Sequence, residues 1–322
     1  MAVLVTGVGY IGAKLIDELL RVGEHVVAID NYFSTDRRAI GYLRKREGLT
    51  FVEGSVNSRA TLAAAFSAHS EISTVYSLAA QSSAHPGAAS ARYTEITNLL
   101  SPRLLLDTML EFGTKTIVYG SSFWVYGRAL PEIITEHTPY GSFSDLSHLS
   151  KCYVEKLLEM YAKQAGLCSV AVRLGIVYGI SPVMKRDYRT MTAPNKFCLQ
   201  AVRGEEIVVN SGAECPAGFI HIEDACQGLL AAARIGTPGD FVPVNLVTEM
   251  LTIHEVARIV AREAGARGIL AKLRFLAPER VEKPHVTSRI DDVGFIAKHK
   301  MDGSLGSVLD FFARAESLGD VH

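Results

Sequence analysis

The sequence has few cysteines, no surplus of positive charge and no long apolar run, and each shortage excludes a class of protein. Its five cysteines are scattered, without a CxxC pair or a Cys/His cluster, which argues against a disulfide framework and against a zinc site. The formal net charge is −1, so nothing favours nucleic acid or an anionic membrane surface as a partner. No apolar run approaches the roughly 20 residues of a membrane span. We expect a soluble, cytoplasmic protein without a metal ion.

The first half of the chain alternates short β-branched segments with longer segments of helical periodicity. Strands are predicted at residues 3–6, 25–29, 50–54, 74–78, 115–119 and 169–174. The clearest predicted helices cover residues 11–22, 94–112 and 149–165. Apolar strands that alternate with helices are typical of a parallel sheet covered on both faces.

The predicted fold class is therefore α/β, a doubly wound parallel Rossmann sheet with a smaller α/β substrate lobe. The alternation of strands and helices changes at about residue 176, where a loop rich in proline and charge begins. We assign residues 1–175 and 222–247 to the Rossmann domain, and residues 176–221 and 248–322 to the lobe.

A glycine-rich turn directly follows the first predicted strand. It reads Thr6-Gly7-Val8-Gly9-Tyr10-Ile11-Gly12, a GxGxxG pattern that opens a predicted helix. Glycines let the backbone turn sharply and approach a pyrophosphate, which the N–H groups of the helix N-terminus attract. Asp30 ends the second strand, where a carboxylate accepts hydrogen bonds from the adenosine ribose and repels a 2′-phosphate. The pattern predicts NAD rather than NADP, although Arg37 and Arg38 temper that preference.

These segments resemble the extended short-chain dehydrogenases/reductases, a family that contains nucleotide-sugar epimerases and dehydratases. The resemblance continues at the loop Asp30–Ser34 and the segment Leu78–Gln81, and departs from the family at the shorter glycine turn and at Gly54-Ser55-Val56, where an acid usually contacts adenine. The resemblance implies that NAD is bound by Gly7, Gly9, Tyr10, Ile11, Gly12, Asp30, Asn31, Ser55, Val56, Leu78, Ala79, Ala80, Gln81, Asn98 and Lys151.

The segment Gly120–Gly127 resembles the family's serine-rich segment that ends in Tyr-Gly. By this resemblance Ser122 is the hydroxyl that hydrogen-bonds the reacting oxygen of the substrate. The family then carries Tyr-x-x-x-Lys on a helix, where the ammonium holds the nicotinamide ribose and lowers the pKa of the phenol. Here Lys151 is present and Ser147 stands at the tyrosine position, so the implied catalytic residues are Ser122, Ser147 and Lys151.

Ser147 is a poor general base, because a serine hydroxyl has no accessible anion near neutral pH. Three explanations stay open. Another group, His148, Tyr126 or Tyr140, transfers the proton, and imidazole titrates in the right range; or the serine is an introduced change that traps a ligand; or the chain binds NAD without turnover, as a regulatory or scaffold subunit. A simple NAD-dependent alcohol dehydrogenase is a further alternative.

Three segments, Ser147–Lys151, Gly175–Gly179 and Asn195–Ala201, are similar to UDP-sulfoquinovose synthases and imply a nucleotide-sugar substrate, with a UDP-sugar favoured. The arginine that usually binds the diphosphate is missing, since Pro216-Ala217-Gly218 stands in its place, and Ile176 replaces a frequent asparagine. The implied substrate-binding residues are Ser122, Tyr126, Asn195, Arg280 and Arg289. Further candidates for the phosphates are Lys185, Arg186 and Arg189.

The predicted function is that of an NAD-dependent epimerase or dehydratase that oxidises the sugar transiently, at C4, and ends with NAD unconsumed. The predicted helices 94–112 and 149–165 correspond to those that pair across a twofold axis in this family. We therefore expect a homodimer held by a four-helix bundle.

Overall fold

A seven-stranded parallel sheet forms the centre of the protein. A computed structural model describes residues 2–69, 71–83, 85, 87–210, 215–276, 278–279 and 282–318. The strands are β1 Ala2–Thr6, β2 His25–Asp30, β3 Leu49–Glu53, β4 Ile72–Ser77, β5 Thr116–Ser122, β6 Ile133–Ile134, β7 Cys168–Leu174, β8 Ile176–Tyr178, β9 Glu206–Val209, β10 Ala217–His221, β11 Phe241–Leu246, β12 Glu249–Leu251, β13 Lys272–Phe275 and β14 His285–Val286. The helices are α1 Tyr10–Arg21, α2 Arg37–Ile40, α3 Arg59–Ser67, α4 Ala91–Glu95, α5 Ser101–Glu111, α6 Leu146–Ala165, α7 Ala193–Val202, α8 Ile222–Ala232, α9 Ile253–Gly265 and α10 Met301–Ser317.

The order of the strands determines where a ligand can bind. The large sheet runs β11-β7-β5-β4-β1-β2-β3, with every neighbouring pair parallel. The chain leaves β1 in one direction to form β2 and β3, and then returns to the other side of β1 to form β4. Such a reversal opens a crevice at the carboxyl ends of the strands. The predicted α/β class with a doubly wound parallel sheet is confirmed.

Helices cover both faces of this sheet, which explains why β1 is buried along its whole length. On one face α1 and α8 contribute Leu15, Ile16 and Leu229 to a continuous apolar core. On the other face α3, α5 and α6 contribute Leu62, Leu106 and Leu158. The sheet is thereby held rigidly beneath the crevice.

A second core lies in the later part of the chain. Helices α7, α9 and α10 pack Phe197, Val260 and Leu309 around it. The sheet β12-β10-β8 and the pair β13-β9 complete this region, whereas β11 joins the large sheet beside β7. The exact division into two domains stays a prediction. In the described part of the chain no helix has the length and apolarity that crossing a bilayer requires.

Two helices differ from their predicted extents in ways that matter for the site. The single predicted helix 94–112 is interrupted by a π-helical turn, Ile96–Leu100, between α4 and α5. Such turns occur frequently at functional sites, because the additional residue redirects side chains. Helix α6 begins three residues before its predicted start, because the Asp145 carboxylate accepts a hydrogen bond from the backbone N–H of His148 and caps the helix.

Candidate active site

A cavity of about 350 Å³ lies at the carboxyl ends of β1, β4 and β5. It brings together most residues that the sequence predicted to bind the cofactor or to take part in catalysis. These are Gly7, Gly9, Tyr10, Ile11, Gly12, Asp30, Asn31, Val56, Leu78, Ala79, Ala80, Gln81, Ser122, Ser147 and Lys151.

Each of the three glycines in the turn is suited to its position for a different structural reason. Gly7 has φ +84°, and a Cβ there would lie 2.7 Å from Cα of Ala79. A Cβ on Gly12 would lie 1.9 Å from the carbonyl oxygen of Gly7, so α1 can approach the turn closely only without a side chain at this position. A Cβ on Gly9 would meet only Oγ1 of Thr35, at 3.8 Å, and Gly9 borders the cavity. The turn therefore fits a pyrophosphate that approaches the backbone at Gly9.

Asp30 fixes the shape of the glycine turn as well as lining the cavity. Its Oδ2 accepts a hydrogen bond of 2.7 Å from the backbone N–H of Val8, and its Oδ1 accepts one of 2.7 Å from Tyr32. Burial raises the pKa of Asp30 above its ordinary value, although these two bonds act in the opposite direction. The guanidinium of Arg37 pairs with the carboxylate of Glu53 and not with that of Asp30.

Two predicted cofactor residues, Ser55 and Asn98, do not line the cavity. Asn98 lies in the π-helical turn, where its amide accepts from the backbone N–H of Gln81 and donates to its carbonyl oxygen, both at 2.8 Å. Its Nδ2 also lies 3.0 Å from Oγ of Ser150 on α6. Asn98 therefore holds in place the loop that carries Gln81, which does line the cavity.

Lys151 and Ser147, two of the predicted catalytic residues, lie on α6 and line the cavity. The ammonium of Lys151 donates a hydrogen bond of 2.6 Å to the carbonyl oxygen of Gly120 at the end of β5, and burial lowers its pKa to about 8. The hydroxyl of Ser147 donates to Oδ1 of Asp145 at 2.5 Å. Oγ of Ser122 accepts a hydrogen bond of 3.2 Å from the backbone N–H of Trp124.

The three alternative proton carriers are separated by the fold. Tyr126 is buried outside the cavity, where its hydroxyl hydrogen-bonds Asn245 at 2.7 Å, and burial raises its pKa to about 12. Tyr140 also lies outside and donates to Oε2 of Glu155 at 3.0 Å. His148 lines the cavity beside Ser147 and Lys151, although the helical spacing alone puts it one residue off their shared face.

The predicted substrate residues are also separated, and of the four that the structure describes only Ser122 lines the cavity. Asn195 is buried, accepts a hydrogen bond from the backbone N–H of Gly179 at 3.1 Å and donates to the hydroxyl of Tyr10 at 3.0 Å. Tyr126 is buried elsewhere, and Arg289 is exposed and outside the cavity lining. Arg280 lies outside the described residues. Of the further phosphate candidates, Lys185 lines the cavity.

This geometry agrees with the comparisons to known proteins. A model of the NAD dependent epimerase/dehydratase family matches residues 3–243. The chain belongs to this family. The resemblance found in the sequence and the predicted cofactor, NAD, are thereby confirmed.

Individual relatives of the NAD dependent epimerase/dehydratase family support the same assignment. A UDP-glucose 4-epimerase of Haemophilus influenzae is 32% identical over 251 residues, which are 73% of each chain. The chloroplastic UDP-sulfoquinovose synthase of Spinacia oleracea is 27% identical over 227 residues, 64% of this chain and 46% of that protein. The crystal structure of the Thermotoga maritima UDP-glucose 4-epimerase with UDP-glucose has a TM-score of 0.83 at 22% identity, covering 98% of this chain and 100% of that one. This last match shows the shared fold.

Several cavity residues of this family member were not predicted as site residues, although Phe33 and Trp124 stand within segments that resemble the family. Phe33 and Tyr93, whose rings stack at 3.7 Å, both line the cavity. Trp124 and Thr192 line it as well. Tyr93 precedes the π-helical turn, which periodicity does not reveal, and Trp124 stands within a segment whose resemblance to the family lies in its serines and its Tyr-Gly.

Proposed function

We propose that the protein is an NAD-dependent epimerase or dehydratase of a nucleotide sugar, with a UDP-sugar favoured, that acts by transient oxidation at C4. The observation that carries this proposal is the continuity of one cavity. Its lining includes the glycine turn at Gly9, then Ser122 and Lys151, and also Ile176 and Lys185. Cofactor and substrate can therefore meet within a single cavity. Relatives named UDP-glucose 4-epimerase make a UDP-sugar the first substrate to test.

Each residue of the cavity has a separate role in this reaction. NAD, when bound, supplies the acceptor for the hydride from the sugar carbon. Lys151 holds the nicotinamide ribose with its ammonium, and its lowered pKa of about 8 reflects a charge that burial disfavours until such a partner is present. Ser122 donates a hydrogen bond to the reacting oxygen. Asp30 accepts from the adenosine ribose on the lone pairs that its two backbone bonds leave free.

Lys185 is the group that we assign to the diphosphate of the substrate. It lines the cavity, burial lowers its pKa, and it makes no ion pair within the described ranges of the chain. A desolvated cation without a carboxylate partner is costly, and an anionic ligand relieves that cost. It thus compensates for the arginine that Pro216-Ala217-Gly218 replaces.

Binding of UDP tests this assignment. We expect Lys185→Met to weaken UDP at least tenfold, because a charged hydrogen bond is lost, while Lys185→Arg retains most of the affinity. NAD affinity is measured in parallel, because it shows whether Lys185 contacts the diphosphate of the substrate or the pyrophosphate of the cofactor. If only NAD affinity falls, Lys185 binds the cofactor; if neither falls, the assignment is wrong.

The function itself is tested by ligand identification and by turnover. Mass spectrometry of the denatured protein should release NAD, and incubation with UDP-sugars should interconvert them without net NADH. Stoichiometric NADH would indicate a simple alcohol dehydrogenase. A protein that carries no NAD and gains none on titration would overturn the proposal.

A non-catalytic NAD-binding subunit is the second candidate, and the serine at the tyrosine position favours it. Ser147 donates a hydrogen bond to Asp145 and offers no phenol to the cavity. Ser147→Tyr separates the candidates. If the variant gains much turnover over the wild type, the wild type is a disabled enzyme, as the second candidate requires. If the wild type is itself active, the second candidate is excluded.

We further propose a homodimer formed by α5 and α6. Leu149, Tyr153 and Met160 are 50%, 43% and 40% exposed, and their spacing puts them on one side of α6. Leu100, just before α5, is 64% exposed. We expect a dimer by light scattering at micromolar concentration, and Tyr153→Glu should shift it toward monomer. Leu270→Glu is the control, since this 79% exposed residue lies elsewhere. A monomeric wild type would refute the dimer.

A further inference from the structure

We infer that His148, oriented by Asp145, exchanges the proton with the reacting hydroxyl of the substrate in place of the absent tyrosine. The inference rests on the proposed function, since it supplies the acid–base group that transient oxidation requires. Its basis is the first turn of α6, where the Asp145 cap brings Ser147 and His148 to the cavity together.

Asp145 is the common partner of both residues. Its Oδ2 lies 2.6 Å from Nδ1 of His148, and its Oδ1 accepts from the Ser147 hydroxyl at 2.5 Å and from the His148 backbone N–H at 3.0 Å. Burial acts against ionisation, but these hydrogen bonds hold the pKa of Asp145 below its usual range. An ionised carboxylate at Nδ1 fixes the tautomer with a proton on Nδ1, which leaves the lone pair on Nε2. In the described parts of the chain Nε2 has no hydrogen-bond partner, so it is available to a ligand in the cavity.

The other titratable side chains that line the cavity already make contacts within the protein. Tyr10 donates its hydroxyl proton to the carbonyl oxygen of Gly179 at 2.7 Å, and burial raises its pKa well above the ordinary value. Asp30 accepts two backbone hydrogen bonds at the glycine turn. Tyr93 stacks on Phe33, and its hydroxyl accepts a hydrogen bond of 3.5 Å from Nδ2 of Asn31, the residue that follows Asp30.

Two lysines remain, and neither replaces the imidazole. Lys151 donates to the carbonyl oxygen of Gly120 at 2.6 Å and is the family's ribose-binding residue. Lys185 belongs to the loop after β8 and is assigned to the phosphates. His148 is i−3 from Lys151 on α6, so the two side chains project from neighbouring positions of one helix. His148 is therefore the cavity group with both a free basic nitrogen and a fixed orientation.

The proton balance of the step is complete. As the carbon of the substrate loses hydride to bound NAD, its O–H bond breaks and the proton moves to Nε2 of His148. The imidazolium so formed is stabilised by the Asp145 carboxylate at Nδ1, which stays ionised. When hydride returns to the carbon, Nε2 gives the proton back to the oxygen. Asp145 acts through His148 and is a positioning residue.

Trp124 provides a readout of His148 that does not depend on turnover. It is the single tryptophan of the chain, and its ring lies 5.6 Å from the ring of His148. Because an imidazolium quenches a nearby indole, Trp124 fluorescence should follow the protonation of His148 in a pH titration. We expect His148→Gln to abolish this transition. Asp145→Asn keeps the helix cap but removes the charge beside Nδ1, and should alter the amplitude of the transition because the imidazole loses its fixed orientation.

Turnover is measured on the same three proteins, with His25→Gln as control, since His25 is exposed at the amino end of β2. We expect His148→Gln to lower kcat by about 10²- to 10⁴-fold, the usual contribution of a general acid–base group, with NAD affinity unchanged. Asp145→Asn should lower kcat less, because His148 keeps its basic nitrogen and loses only its orienting partner.

The outcomes separate the inference from the function on which it rests. An active wild type whose His148→Gln variant keeps its rate overturns the inference alone. The absence of a fluorescence transition that depends on His148 also overturns it. A wild type that binds NAD but acts on no nucleotide sugar overturns the proposed function, and the inference with it.

Discussion

The ammonium nitrogen of Lys151 lies 2.6 Å from the carbonyl oxygen of Gly120, in a position where burial lowers its pKa to about 8. The side chain is 8% exposed and has no carboxylate in hydrogen-bond contact among the described residues. The protein thus maintains a desolvated cation in the cavity lining, an arrangement that costs stability when no anionic or polar ligand is bound.

We therefore predict that Lys151→Met stabilises the cofactor-free protein while it abolishes tight NAD binding. The folded-state pKa lies below the unfolded value of 10.5, so below pH 8 the lysine costs stability, by about 3 kcal/mol. That cost falls as pH rises from 8 to 10.5. Urea unfolding at about pH 7 and about pH 9.5 measures it, and the advantage of the variant should shrink at the higher pH. An advantage of the wild type at the lower pH would contradict the prediction.

The buried pair of Arg173 and Glu155 lies directly beneath the serine-rich segment. The two side chains are 3% and 0% exposed and lie 2.7 Å apart, and Glu155 also accepts from the hydroxyl of Ser121. Glu155→Gln leaves a buried guanidinium without its counter-charge and should cost about 3–5 kcal/mol of unfolding free energy. Glu159→Gln, on the same helix but at the surface, should cost under about 1 kcal/mol. Chemical denaturation compares the two; equal losses would argue against the role of burial.

The glycines of the turn should separate folding from cofactor binding. Gly12→Ala introduces a methyl group at 1.9 Å from the carbonyl oxygen of Gly7, so we expect loss of roughly 3 kcal/mol or more in stability. Gly9→Ala meets only Thr35, at 3.8 Å, and should fold with a change under about 1 kcal/mol, yet weaken NAD at least tenfold because its methyl group enters the pyrophosphate position. Thermal unfolding and NAD titration measure the two effects. Normal NAD affinity of Gly9→Ala would place the pyrophosphate elsewhere.

Acid stability should depend on His221, the N-cap of α8. Burial first, and then the adjacent His299, lower its pKa to about 4, although Glu223 and Asp224 act in the opposite direction. Because the folded pKa lies below the unfolded value of 6.5, the unfolded chain takes up the proton first. Stability is therefore full above pH 6.5 and is lost as pH falls toward 4, by about 2–3 kcal/mol from this group.

His221→Asn tests the origin of this loss. Asparagine retains the capping acceptor but does not titrate, so the unfolding free energy of the variant should fall less between pH 6.5 and pH 4. Other titratable groups, including Lys14 near the His221 ring, are present in both proteins, so their contributions to the unfolding free energy cancel in the comparison. An identical pH dependence of wild type and variant would show that His221 is not the titrating group.

Much of the cofactor half of the site could be predicted from the sequence, because its requirements are local. Gly7 needs a positive φ and Gly12 needs the absence of a Cβ, and residue type by itself states both. Asp30 at the end of β2 and Lys151 on α6 follow from the same spacing that marks the family. The cavity contains all four.

The substrate half could not be predicted in the same way, because a polar residue in a matching segment has several possible partners. Asn195 is satisfied by Gly179 and Tyr10, and Tyr126 by Asn245 and Arg173, residues far from them in the chain. Their side chains are therefore used within the protein. Arg289 is exposed, on a surface away from the cavity.

The sequence by itself determined the α/β architecture, the glycine turn and the family, since periodicity and backbone requirements are properties of neighbouring residues. Only the tertiary structure decided that His148 reaches the cavity, that Asn98 acts through Gln81, and that Lys185 has no ion pair among the described residues. The reason is that the lining of a cavity, the partner of an amide and the solvation of a charge all depend on segments that meet only when the chain is folded.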